Sequence, residues 1–252
     1  MLNKRLYRTL NPMRRLVRRS GWDVVRYCPS APLPKQSCWP TLLGAANLPI
    51  HTVLDIGAKD GDTARIFRHY FPAAALHCFE PHPQSFAALA AWASQQRPAV
   101  YCYPCALGDQ SGVADLYVSG SRLAVASLLP PQPIRLAEPA FAAELTTLPV
   151  PVRRLDEVTA ELELADDLLV KIDAEGFDKQ VILGGMALLR RAAACIVEVH
   201  VWERYGVQPS LREIMDLLAL ADLSYAGTLR QGQQVTGAVS YIDALFIKRR
   251  LL

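Results

Sequence analysis

No run of apolar residues in this chain approaches the roughly 20 that a helix needs to cross a bilayer. The N-terminus also lacks the apolar core of a secretory signal. Both absences point to a cytoplasmic protein. Cysteine is sparse: the six residues, at 28, 38, 78, 102, 105 and 195, form no disulfide framework in a chain this long. Cys102-x-x-Cys105 is the one pair at redox or zinc spacing. It falls beside Val100 and Tyr101 in a stretch that reads as a strand, so two buried thiols are expected there. Missing too is the dinucleotide fingerprint G-x-G-x-x-G, which disfavours a nicotinamide oxidoreductase. With 51% hydrophobic and 20% charged residues the chain is globular, and 252 residues suit one α/β domain with additions.

What is present is organised around VLDIGAKDG, Val53 to Gly61. A short apolar run ends in Asp55 and two glycines, then passes into a helical pattern through Ile66, Phe67 and Tyr70. This reads as strand, tight turn and helix, with Gly57 and Gly61 free to take positive φ. Asp60 and Asp62 bring negative charge to the helix start, and Asp62 is placed to cap it. A phosphate would meet carboxylates there, so a cationic or zwitterionic ligand fits better. S-adenosyl-L-methionine, with a sulfonium, an ammonium and a ribose diol, is such a ligand. A second apolar run, ALHCF, ends in Glu80, where α/β nucleotide folds place a carboxylate that accepts the ribose hydroxyls.

The total charge of +3 hides an uneven distribution. Residues 1–26 hold eight Lys or Arg against Asp23 alone, an excess of seven that leaves the remainder at −4. The basicity is a property of the tail, and no nucleic-acid partner is expected. Leu2, Leu6, Leu10, Met13 and Val17 recur at helical spacing, with Pro12 dividing the pattern, so this segment either lies on anionic lipid as a peripheral contact or covers the domain. A proline-rich linker follows over 28–50. The reading is therefore a basic amphipathic segment and linker over 1–50 and one catalytic domain over 51–252. Residues 119–149, rich in proline, alanine and serine, form an insertion in that domain, read as a substrate-facing lid with a weak helical pattern near 137–145. Oligomeric state is left open.

Residues 113–118, after the turn at 108–112, read as an added strand or hairpin arm, and further strands at 168–173, 195–200, 223–229 and 241–248 give a mostly parallel sheet with an antiparallel final strand. A helix is read over 178–190, with Gly184 and Gly185 as weak points or a close packing contact. Another opens at Ser210 with a capping box to Glu213 and turns Ile214, Leu217, Leu218 and Leu220 inward. The strand ends carry the chemistry. Lys171, Asp173 and Glu175 alternate along an extended chain, and Glu198 and His200 share one face of the next strand. His200 has the better matched proton affinity for a base, with Asp173 as a positioning carboxylate. A metal held by Asp173, Glu175 and Glu198 is the rival device, and no metal is expected.

DIGAKDG, FEPHP, CALGDQSG, VRRLDEV, KIDAEGFD and YIDALFIKR, in this order, resemble the FkbM family of S-adenosyl-L-methionine-dependent methyltransferases. The resemblance covers about residues 50 to 250. It implies a Rossmann-like methyltransferase fold with a seven-stranded sheet and methyl transfer to a hydroxyl of a sugar, glycan or polyketide-type metabolite. Asp55, Gly57, Ala58 and Gly61 would form the cofactor turn, Glu80 would hold the ribose, and Asp173 would contact the cofactor. Lys59 stands where the family's turn usually carries Asn, and Ala126 where it often has the first of two serines. A protein that keeps this fold without turnover is the competing reading.

Overall fold

The computed structural model describes residues 42–119, 125–132, 145–202, 205, 207–233 and 237–251, all within the compact unit Cys38–Leu252. The basic amphipathic segment, most of the proline-rich linker and all but the last residue of the weak helical pattern near 137–145 lie outside the described residues.

The main sheet has seven strands: β1 (Thr52–Ile56), β2 (Ala75–Phe79), β3 (Val100–Tyr103), β8 (Leu168–Ile172), β9 (Ala192–His200), β10 (Leu223–Gln233) and β11 (Val239–Lys248). Their spatial order is β10-β11-β9-β8-β1-β2-β3. β1 runs parallel to β2 and β8, and β11 alone runs against its neighbours β9 and β10. This is the mostly parallel sheet that the strand pattern implied, in the Rossmann-like α/β architecture that the resemblance implied. All five residues of both β1 and β8 are buried, as expected for central parallel strands covered on both faces.

Helices supply those covers. α1 (Asp62–Tyr70) and α2 (Pro83–Ala93) bury Phe67 and Leu89 with Val53, Leu76, Leu169 and Ile196. Complete burial of Phe67 contributes roughly 2–3 kcal/mol. On the other face, α3 (Leu155–Ala160), α4 (Asp178–Gly184), α5 (Met186–Leu189) and α6 (Leu211–Ala219) pack Leu155, Ile182, Leu189 and Leu218 with Leu54, Val170 and Val197.

Several local expectations change. α1 is capped by Gly61 at φ 90, and Asp62 is its first residue, with no side-chain cap bond; its carboxylate lies 3.5 Å from Arg65 instead. The helix expected over 178–190 breaks at Gly184 and Gly185. A Cβ on Gly184 would stand 1.8 Å from the Gly108 carbonyl oxygen, so the pair serves the close packing contact. Ser210 and Glu213 do form the capping box, but Leu220 is exposed beyond the end of α6, and Leu217 is only half-buried.

The largest difference is a second sheet. β4 (Ala106–Gly108), β5 (Gly112–Ser119), β6 (Val125–Ser127) and β7 (Leu145–Arg154) form it in the order β4-β7-β5-β6. Residues 145–149, read as the end of the insertion, are the start of β7, paired from Leu145 opposite Ser119. Two prolines hid this strand. Pro149 and Pro151 have the same parity, so both can turn the missing N–H away from β5, toward an edge that β4 covers only at Val152–Arg154.

Candidate active site

The carboxyl ends of β1, β2 and β8 open into a cavity of about 670 Å³ that is continuous with solvent. Gly57, Lys59, Glu80, Asp173 and Glu175 line its polar side, and Leu116, Ala126 and Leu128 of the second sheet close it from the opposite side. Ligands of open α/β sheets bind at such strand ends.

The glycine turn is held by its own amides. Gly57 and Ala58 both donate to the Phe79 carbonyl at 3.0 Å, and Lys59 N donates to Glu80 Oε2 at 2.8 Å. These donors are engaged, so the turn offers no nest for a pyrophosphate. Gly57, at φ 77, has no room for a side chain: a Cβ would lie 2.0 Å from the Asp173 carbonyl oxygen. Glu80 is buried, and its other oxygen accepts from His82 N at 2.8 Å. Burial raises its pKa, opposed by those two amide bonds. Each carboxylate oxygen keeps a second lone pair for a ligand hydroxyl. At Lys59 the backbone amide makes the bond, while its φ of 50 is a left-handed conformation that Asn adopts more readily than Lys.

Asp55, Ala58 and Gly61 do not line the cavity. Asp55 lies inside β1 between Cys78 and Lys171, 1% exposed, with Oδ2 unpartnered among the described residues. Burial pushes its pKa up to about 7, and the Lys171 ammonium opposes the shift. Lys171 is itself buried, 3.2 Å from Asp173 and 3.8 Å from Asp243. Burial works against its charge, but Asp173, Asp243, Glu198 and Asp55 outweigh it and hold the ammonium above its ordinary pKa. Asp173 therefore faces the cavity with a fixed cation behind it, and its shared face with Lys171 agrees with the strand period.

Glu175 departs from the extended path read in the sequence. β8 stops at Ile172, and Glu175 turns at φ 48, a left-handed conformation rare outside glycine. Two contacts hold the turn. Asp178 accepts from Ala174 N and Gly176 N, both at 3.0 Å, and Ser127 Oγ donates to the Glu175 carbonyl at 2.7 Å. The turn brings Glu175 Oε2 to 3.3 Å from His200 Nε2 and 3.1 Å from Tyr205 Oη. His200, its side chain 2% exposed, stands behind Glu175 in a small recess shared with Glu198, not on the main cavity wall. Glu198 lies 3.8 Å from His200, and burial, then Asp173, raises its pKa well above the usual carboxylate range. Of the site residues expected from the sequence, the cavity gathers Gly57, Glu80 and Asp173. It adds Glu175 as the link to His200, a position that strand alternation could not give because the chain leaves the strand. The signal available in the sequence was Asp178 and Gly176, which make this turn.

The group that fits is set by these features. The polar wall carries three carboxylates against Lys59 and offers engaged amides where a phosphate needs donors. S-adenosyl-L-methionine, cationic and phosphate-free, meets those conditions. The Cys102–Cys105 pair holds free thiols, half-buried and buried.

Residues 55–227, more than half of the chain, match the family described as the methyltransferase FkbM domain. Over 182 residues the chain is 30% identical to the 2-O-methyltransferase NoeI of Sinorhizobium fredii, covering 69% of this chain and 74% of that protein. It is also 30% identical over 191 residues to the 31-O-demethyl-FK506 methyltransferase FkbM of Streptomyces tacrolimicus, covering 68% and 71%. Among solved structures, the magnesium protoporphyrin IX methyltransferase of Synechocystis with bound S-adenosyl-L-methionine aligns over 84% of this chain and 78% of its own, at 12% identity and a TM-score of 0.47.

Proposed function

Because the chain belongs to the FkbM family of S-adenosyl-L-methionine-dependent methyltransferases, we propose that it methylates a hydroxyl oxygen of a sugar, glycan or polyketide-type metabolite. The observation that supports this most is the placement of Glu80 and Glu175 along one cavity, one buried among turn amides and the other backed by His200.

S-adenosyl-L-methionine supplies an electrophilic methyl on its sulfonium. Glu80 accepts the ribose hydroxyls, Gly57 lets the turn close against the Asp173 backbone, and Asp173 faces the cationic portion. Lys171 fixes the Asp173 carboxylate in place at 3.2 Å. The acceptor hydroxyl enters at the Glu175 end. An aliphatic hydroxyl attacks far better as it loses its proton, and Glu175 with His200 behind it is the cluster that promotes that loss. His200 acts through Glu175, since Glu175 is the member on the cavity wall. Leu116, Ala126 and Leu128 exclude water from the opposite wall.

Calorimetry with S-adenosylhomocysteine and with NAD tests the cofactor class. Methyl transfer from labelled cofactor to a panel of hydroxylated sugars and macrolactones then tests the acceptor. Binding of NAD without S-adenosylhomocysteine, or label found only on nitrogen or carbon acceptors, would sink the reading.

A further inference from the structure

Glu175 is also one corner of a second constellation. One donor atom each of Glu175, Glu198 and His200 lies within 4.8 Å of the others, with His200 Nε2 3.3 Å from Glu175 Oε2 and 3.8 Å from Glu198 Oε1. Two elements deliver them. β9 presents Glu198 and His200 on one face, and the braced turn after β8 swings Glu175 toward them. The side chains are 13%, 14% and 2% exposed respectively, so little water reaches the space between them.

We propose that Glu175, Glu198 and His200 form a divalent-cation site, which deepens the methyl-transfer reading by placing an ion directly behind Glu175, the residue on the cavity wall. An octahedral ion with ligands at about 2.1 Å keeps neighbouring donors about 3 Å apart, so the pairs at 3.3 and 3.8 Å need only small contraction. Two carboxylates and one imidazole, with no thiolate, select a hard to borderline ion. Of the two ions that carboxylates favour, Mn2+ accepts an imidazole nitrogen more readily than the harder Mg2+. Three protein donors leave positions open in a six-coordinate shell, and Glu175 is the member that borders the cavity. An oxygen bound there would lose its proton more readily.

The site differs from the one read in the sequence by exchanging Asp173 for His200. Asp173 is turned to the Lys171 ammonium, whereas the left-handed turn carries Glu175 to the β9 side chains. The buried imidazole directs Nε2 at both carboxylates, and its Nδ1 has no partner among the described residues. The rival account of the same geometry is a simple ion pair, an imidazolium lying between two carboxylates. The two accounts separate on whether a metal binds.

Chelator-treated full-length protein titrated with Mn2+, followed by loss of the free-ion paramagnetic resonance signal, should show one site per chain with a dissociation constant at or below about 0.1 mM. His200→Asn and Glu198→Gln should each weaken it at least about tenfold, while S-adenosylhomocysteine affinity, measured on the same samples, changes less than about twofold and reports that the fold is intact. Glu213→Gln, on the exposed capping box, should bind Mn2+ as wild type does. If His200→Asn fails to fold, Glu198→Gln, closest in shape, decides alone. Wild-type protein that binds S-adenosylhomocysteine but neither Mn2+ nor Mg2+ overturns the site and leaves methyl transfer standing, as does Mn2+ binding indifferent to both substitutions. Mn2+ binding abolished by Glu198→Gln in a protein that never binds S-adenosylhomocysteine keeps the site and overturns the methyl-transfer reading.

Discussion

Ser127 Oγ donates to the Glu175 carbonyl at 2.7 Å, tying the last residue of β6 in the small sheet to the turn that follows β8 in the large one. The same oxygen accepts from Leu129 N at 3.0 Å, which fixes the hydroxyl's direction. A residue at φ 48 needs such a hold, because its conformation costs on the order of 1–3 kcal/mol.

Ser127→Ala should therefore lower stability by only about 1 kcal/mol, the worth of one hydrogen bond, yet cut turnover more than that loss implies, because Glu175 is released. S-adenosylhomocysteine affinity should stay near wild type. Steady-state kinetics beside calorimetry checks this; equal losses in turnover and cofactor affinity would mean that the bond supports the whole cavity.

Removing the Glu80 carboxylate should weaken S-adenosylhomocysteine binding roughly ten- to a hundredfold, since charge-assisted bonds to the ligand disappear and two turn amides lose their acceptor. Glu80→Gln, which keeps one acceptor oxygen, should fall between wild type and Glu80→Ala. Wild-type affinity in Glu80→Ala would remove the ribose assignment.

Gly57→Ala should be among the most damaging single methyl additions in the chain. The new Cβ meets the Asp173 carbonyl oxygen at 2.0 Å, and the backbone is left-handed at φ 77, so loss of at least about 3 kcal/mol is expected. Gly112→Ala, where a Cβ meets nothing within 4 Å, is the matched control. Thermal unfolding of both reads the difference; comparable midpoints would contradict the packing.

Stability should fall as pH rises from about 4 to about 7. Burial raises Asp55 from 3.8 to about 7, so the native state keeps a proton that the unfolded chain releases across that window. The advantage of the neutral form is complete below the unfolded value and gone above the folded one, a change of at most about 4 kcal/mol. Asp178, raised to about 6 by burial, adds slope of the same sign. Asp55→Asn cannot release a proton, so its denaturation midpoint should gain on wild type between about pH 4 and about pH 7. A difference that stays constant with pH would show that Asp55 is ionised in the native protein.

The main sheet was legible because its strands obey the two patterns that a sequence displays, continuous apolar runs at β1 and β8 and acidic or glycine punctuation at their ends. Glu80 and Asp173 followed from those ends. The second sheet was legible only at β5, the strand read at 113–118: Pro149 and Pro151 mimic a loop, and β7 finds its partner β5 across an intervening stretch of chain. Nor could spacing place Asp55 inside the sheet or Glu175 beside His200. The first depends on which way a strand faces at its last turn, and the second on one left-handed residue.

The pairing of Ser119 with Leu145 has a practical consequence for redesign. The stretch 120–144, which carries β6, is flanked by two paired residues that face each other about 5 Å apart across an antiparallel ladder. Its two ends behave as a socket. A replacement from another family member needs to match that doorway and re-form the β6 edge on Tyr117–Ser119, while Val118–Thr146 and the pairs below it keep β5 and β7 in register. On the proposed reading, acceptor preference becomes a cassette that can be exchanged without recutting the cofactor half of the molecule, provided that the graft restores a hydroxyl where Ser127 now reaches Glu175.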